Sequence, residues 1–109
     1  MDLEKPNLAI TLETSDGTGT LNLSGSFSYR GRSAFESKYV KLLDDPATEK
    51  IIVNLAEVAQ IDSSALGMLL TLRNYASTNN KILYLSNPSN VVRNIFEIAC
   101  FQKIFTVTG

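Results

Sequence analysis

Two short and almost continuously apolar runs constrain this chain more than any other feature. They are Ile51-Ile52-Val53-Asn54-Leu55 and Ile82-Leu83-Tyr84-Leu85, with a helical segment over 64–77 between them. Runs this short and rich in β-branched residues predict central strands covered on both faces, as in parallel sheets. Strand, helix, strand at this spacing is a βαβ unit, and its crossover is expected to be right-handed.

The rest of the chain adds elements to that unit. Leu8, Ile10 and Leu12 alternate with polar neighbours, Ser15-Asp16-Gly17 supplies a turn, and Leu21 and Leu23 resume the alternation. That pattern predicts a hairpin with one buried face, its second strand closing at Gly25. From Arg32 the spacing becomes helical, with Phe35, Tyr39, Leu42 and Leu43 on one stripe until Asp44-Asp45-Pro46 ends it. After Asn87-Pro88-Ser89, with Ser89 as N-cap, Val91, Val92, Ile95, Phe96 and Ala99 form another helical stripe, and Ile104-Phe105-Thr106-Val107 a last strand. The order β-β-α-β-α-β-α-β predicts one α/β domain over 1–109, with a mixed, mostly parallel sheet of about five strands and packed helices.

In an open α/β sheet, ligands and partners usually meet the carboxyl ends of the parallel strands. Here the segment 56–61, read as a loop, leads from the strand at 51–55 to Asp62-Ser63-Ser64 at a helix start. Helix starts leave several N–H groups without an intrahelical acceptor, so Asp62 can cap them and is favoured by the helix dipole. A phosphate esterified to the adjacent serine would meet the same amides and the same dipole. It would also add a charge of about −1.5 to −2 beside an existing carboxylate. Taken alone, Asp-Ser-Ser is better explained as a cap with no further role.

A helical projection from Ser64 puts Ala65, Leu69, Leu72 and Ala76 toward the core with Leu66 flanking. Ser64, Gly67, Thr71, Asn74 and Tyr75 point outward, with Met68 and Leu70 at the borders. That outward face, small and uncharged, suits close approach by another protein. Ser64, Gly67, Met68, Thr71 and Asn74 are its candidate contacts, although a merely solvated helix side has the same composition.

Several function classes are disfavoured. Ten basic against eleven acidic side chains, a net charge of −1, give no broad field toward nucleic acid or an anionic membrane. The chain has no histidine, which removes Ser-His-Asp and Cys-His catalysis and histidine-bearing zinc sites; one cysteine removes thiolate metal sites. No metal or cofactor is expected. A small nucleotide-binding enzyme or hydrolase using Asp62 and Ser64 would lack both a base partner and a Gly-rich phosphate loop. Cys100, in an apolar run with nothing basic beside it, reads as an inert buried side chain; Arg30 and Arg32 read as solvated charges rather than an anion site. Met1 to Pro6 does not resemble a signal peptide and no run approaches a membrane span, so a reducing cytoplasm is the expected location.

The segment from Val53 to Leu70, Val-Asn-Leu-Ala-Glu-Val-Ala-Gln-Ile-Asp-Ser-Ser-Ala-Leu-Gly-Met-Leu-Leu, resembles the signature of STAS domains. In that family a hydrophobic strand ending in Asp or Asn and Leu leads to Asp-Ser-(Ser/Thr)-(Gly/Ala)-Leu-Gly. Leu23-Ser24-Gly25 and the late apolar helix extend the resemblance over nearly the whole chain. Its anti-sigma-factor-antagonist branch implies a bacterial phosphoprotein of signal transduction and transcription regulation, a binding module rather than an enzyme. Unmodified, such a protein binds an anti-sigma factor with serine kinase activity and frees a sigma factor. Phosphorylation of the serine after the aspartate, by position Ser63, ends the binding, and a PP2C-type phosphatase restores it. The alternative within the family is a non-switching STAS subunit of a transporter or sensory complex. Two departures are visible: Ala65 stands where many members have glycine, and Gly109 leaves little room for a final helix that some members carry.

Overall fold

The computed structural model describes residues 8–109, so Met1 to Pro6, read above for a leader, lie outside the described residues. The strands are β1 (Leu8–Ser15), β2 (Thr18–Phe27), β3 (Lys50–Ile61), β4 (Ile82–Ser86) and β5 (Thr106–Thr108); the helices are α1 (Arg32–Asp44), α2 (Ser63–Thr78) and α3 (Asn90–Ile98). Short 3-10 turns occupy Tyr29–Gly31 and Phe101–Lys103. The sheet order is β1-β2-β3-β4-β5, with β1 antiparallel to β2 and every other neighbour parallel. The expected element order and mixed sheet are therefore present.

Local chemistry accounts for the elements. Asp16 and Gly17 both take positive φ, 51° and 82°, the backbone a two-residue hairpin needs to match strand twist. Alternation in β2 and β3 sends Leu21, Leu23, Ile51, Val53 and Leu55 into one core with Phe35, Tyr39 and Leu42 of α1, Leu69 and Leu72 of α2, and Val92 and Phe96 of α3. The intervening Asn22, Ile52 and Asn54 are only half-buried, so β3 is well covered on one face rather than on both. Phe27, Phe35 and Tyr39 meet edge to face with centroids 5.1 and 5.2 Å apart, tying β2 to α1.

Several expectations are corrected. The stretch 56–61 is not a loop: β3 runs on to Ile61. β2 also runs past Gly25, whose φ of 93° lets the strand bend without ending. In α3 only Val92 and Phe96 are buried; Val91 and Ala99 are exposed, because the helix rests on β3 by one narrow edge. The last strand begins at Thr106, since Phe101 to Lys103 form a turn that stacks Phe101 between Phe96 and Phe105. Cys100 is exposed rather than buried, because it occupies the left-handed position (φ 59°) just past the end of α3. Among the described residues, no helix is long and apolar enough to cross a membrane.

Candidate functional site at the start of α2

Asp62 is the hinge between β3 and α2. Its extended backbone (φ −115°, ψ 177°) ends the strand, and its side chain begins the helix: Oδ1 accepts the Ala65 N–H at 2.9 Å. The other carboxylate oxygen, Oδ2, accepts the Tyr29 N–H at 3.4 Å, and the Asp62 N–H donates to the Phe27 carbonyl at 3.3 Å. The capping expectation is met, with a second task added. One residue joins the end of β2, the 3-10 turn that follows it, the end of β3 and the first turn of α2.

That arrangement fixes Ser63 without covering it. Ser63 is exposed as the first residue of α2, and Ser64, one position on, is half-buried. Ser63 stands beside a carboxylate whose two oxygens are both engaged, at the positive end of a sixteen-residue helix. A phosphoryl group on its hydroxyl would project into solvent.

Along α2 the buried side chains are Ala65, Met68, Leu69, Leu72 and Ala76. Met68, expected at the border and among the partner contacts, is 4% exposed and belongs to the core. It leaves the candidate face because the spacing 65, 68, 69, 72, 76 follows the full 3.6-residue stripe. Gly67, Thr71 and Asn74 are exposed, and Tyr75 is half-exposed. A Cβ at Gly67 would meet nothing within 4 Å, so this point of the helix is bare. The Thr71 hydroxyl donates to the Gly67 carbonyl at 3.0 Å.

On the other side of Asp62 lies an open groove of about 460 Å³, lined by Ser26, Ser28, Gln60, Ile61 and Asp62 with Val91 and Ile95 of α3. Gln60, Ile61 and Asp62 fall within the sequence signature, whereas no motif marks Ser26, Ser28, Val91, Ile95 or Tyr29. Their proximity comes from pairing between distant segments. Arg30 lies 5.9 Å over the Tyr29 ring, exposed. Among the described residues, no three or more acidic or cysteine side chains gather where a metal could be held.

Known proteins place this geometry in a family. The family profile described as "Mlab, STAS domain" matches residues 10–107. A STAS-domain containing protein of Pseudomonas aeruginosa is 35% identical over 103 residues, which make up 93% of this chain and all of the relative. Among solved structures, the anti-sigma factor antagonist SpoIIAA in its unphosphorylated form superposes with a TM-score of 0.77 at 22% identity, covering 93% of this chain and 89% of that one. The phosphorylated form of SpoIIAA, a Bacillus cell fate determinant, superposes at 0.72 and 22%, covering 93% and 92%. A sulfate transporter family protein from Wolinella succinogenes shares the fold at 0.72 and 18%, covering 84% and 76%. The fold thus occurs in both settings, and it is the sequence match over nearly all of the chain that settles membership: the protein belongs to the STAS-domain family.

Proposed function

We propose that the protein is an anti-anti-sigma factor switched at Ser63. The unphosphorylated form binds an anti-sigma factor that has serine kinase activity, so releasing a sigma factor; phosphorylation of Ser63 ends the binding, and a PP2C-type phosphatase restores it. The protein acts as a cytoplasmic binding module and catalyses nothing itself. One observation carries this reading: Ser63 is exposed at the helix start while Asp62 beside it is fully occupied in holding that start together. A kinase can reach the hydroxyl without the fold opening. The new dianion would then sit at the N-terminal end of the docking face formed by Ser64, Gly67, Thr71 and Asn74. Burying a phosphate there without a compensating cation costs several kcal/mol.

A second reading, a STAS subunit in a transporter or sensory complex whose serine is never modified, is favoured by the sulfate transporter family likeness. One experiment separates the two. The protein is incubated with ATP and the anti-sigma factor kinase and mapped by mass spectrometry. The switch predicts phosphate on Ser63 in the wild type and none in Ser63→Ala; equal labelling of both chains would overturn the site, and no labelling would favour the structural subunit.

A further inference from the structure

β3 does not pair evenly with β2. Asn22 faces Asn54, but Ser24 faces Glu57, and after Gly25 opposite Val58, Ser26 faces Gln60. Each shift places one extra residue on β3. Had the register of Asn22 and Asn54 continued unbroken, Phe27 would face Ala59; it faces Ile61 instead. Burial follows the same count. The buried side chains of β3 lie at 51, 53, 55 and then 58. Strict alternation would have turned Glu57 inward and Val58 outward, so the bulges keep a charge out of the core.

A bulge leaves backbone groups off the ladder, and buried ones need partners. Two residues supply partners here, Asn54 at the exposed Ala56 amide and Ser89 at the Leu55 and Val58 carbonyls. The Asn54 Oδ1 accepts the Ala56 N–H at 3.2 Å, while its Nδ2 donates to Asn22 Oδ1 at 2.8 Å. From the far junction, the Ser89 N–H donates to the Leu55 carbonyl at 3.4 Å and its hydroxyl to the Val58 carbonyl at 2.6 Å.

We propose that Asn54 and Ser89 are positioning residues for the Ser63 site: they clamp the bulged end of β3 and so set where Asp62 meets Phe27, Tyr29 and the first turn of α2. This role takes its functional meaning from the switch proposed above. The two bulges take up two residues of β3, so its end falls two positions earlier along β2 than even pairing would place it, which brings the Asp62 N–H to the Phe27 carbonyl and its Oδ2 to the Tyr29 N–H. Without the clamp the bulged end of β3 is held less firmly against β2, and Ser63 loses its fixed place.

Amide exchange read residue by residue by NMR on the ¹⁵N-labelled full chain tests this. Asn54→Leu removes both the acceptor for Ala56 and the donor to Asn22; Asn54→Asp keeps the acceptor, and the Asn22 amide turns so that its NH2 donates to the new carboxylate. The clamp predicts that Asn54→Leu speeds exchange at Ala56, Tyr29, Asp62 and Ala65 by about five- to tenfold, the scale of one lost hydrogen bond. Leu21 and Val53, ahead of the bulges, should stay within about twofold on the same scale. Asn54→Asp should return all four amides to wild-type rates, as should Ser89→Thr where Ser89→Ala disturbs them. A uniform rise that includes Leu21 and Val53, unchanged rates at Tyr29, Asp62 and Ala65, or failure of the Asp variant to rescue would each overturn the proposal. These rates require no partner. If wild-type Ser63 is never phosphorylated, the switch reading fails while the clamp still stands or falls on exchange alone.

Discussion

The two junctions where a central strand passes into a helix, β3 to α2 and β4 to α3, are built alike and differ in what they leave exposed. Each begins its helix with a polar cap that accepts the N–H three residues on: Asp62 takes that of Ala65 at 2.9 Å, Ser89 that of Val92 at 3.4 Å. At the second junction the cap also donates inward to the Val58 carbonyl, and the preceding Pro88 is buried. At the first, the cap reaches sideways to Tyr29 and the next residue, Ser63, faces solvent. One serine is spent on structure. The other is held in place and left free, which is the condition a reversible modification requires.

The sharpest way to break this contrast is to remove each hydroxyl in turn and measure urea unfolding. Ser89→Ala loses a cap and leaves the Val58 carbonyl without its short partner, and should cost about 2 kcal/mol. Ser63→Ala, an exposed change, should stay within about 0.5 kcal/mol. Similar losses at both positions would mean that the junctions are not divided in this way.

Asp62→Ala comes next in size. It should cost about 1 kcal/mol in the same unfolding measurement, a typical loss for an N-cap. The change should appear at the Tyr29 amide as well as in α2, because the carboxylate serves both. An effect confined to α2 would reduce Asp62 to an ordinary cap.

Gly67→Ala sharpens the comparison from the partner's side. Nothing lies within 4 Å of the added Cβ, so the isolated protein should gain up to about 1 kcal/mol from the better helix former. Binding of the anti-sigma factor should weaken nonetheless, as a methyl intrudes on the bare face. Stabilisation with unchanged affinity would move the contact away from this turn of α2.

The smallest effect concerns Tyr39, far from either junction. Burial, reinforced by the Glu36 carboxylate and by Tyr75 and partly offset by Arg32, raises its phenol above the ordinary value of 10.0. The folded state therefore holds this proton more tightly than the unfolded chain. The associated stability is complete below pH 10 and declines as pH rises through the folded value. Tyr39→Phe should flatten that alkaline decline in Tm; an unchanged slope would assign it elsewhere.

Much of this was legible in the residues. The apolar runs at 51–55 and 82–85 and the stripes on α1 and α2 led to the right element order, because one-face burial imposes a period that survives in any context. Asp62 and Ser89 were readable as caps for the same local reason. The end of β3 was not. Its apolar residues at 55, 58 and 61 break the period of two, and a strand that absorbs two bulges looks like a loop until its partner β2 is known. The neighbours of Asp62 stayed hidden for a related reason: Tyr29, Val91 and Ile95 reach it by tertiary pairing, and no motif marks them. Met68 was misplaced by an angle near the edge of the helical stripe, where packing decides. Cys100 was misplaced because an apolar run can end in a turn at the surface.

The central claim is that charge at Ser63, and not disruption of the fold, governs partner binding. It is tested most directly by preparing the protein with phosphoserine at position 63 and titrating it against the anti-sigma factor by calorimetry beside the unmodified chain and Ser63→Ala. The account predicts that the phosphorylated protein keeps its amide spectrum outside the first turn of α2 and loses at least about 100-fold in affinity, the scale of an uncompensated charge at an interface, while Ser63→Ala binds within about threefold of wild type. Equal affinity for the phosphorylated and unmodified chains would contradict it.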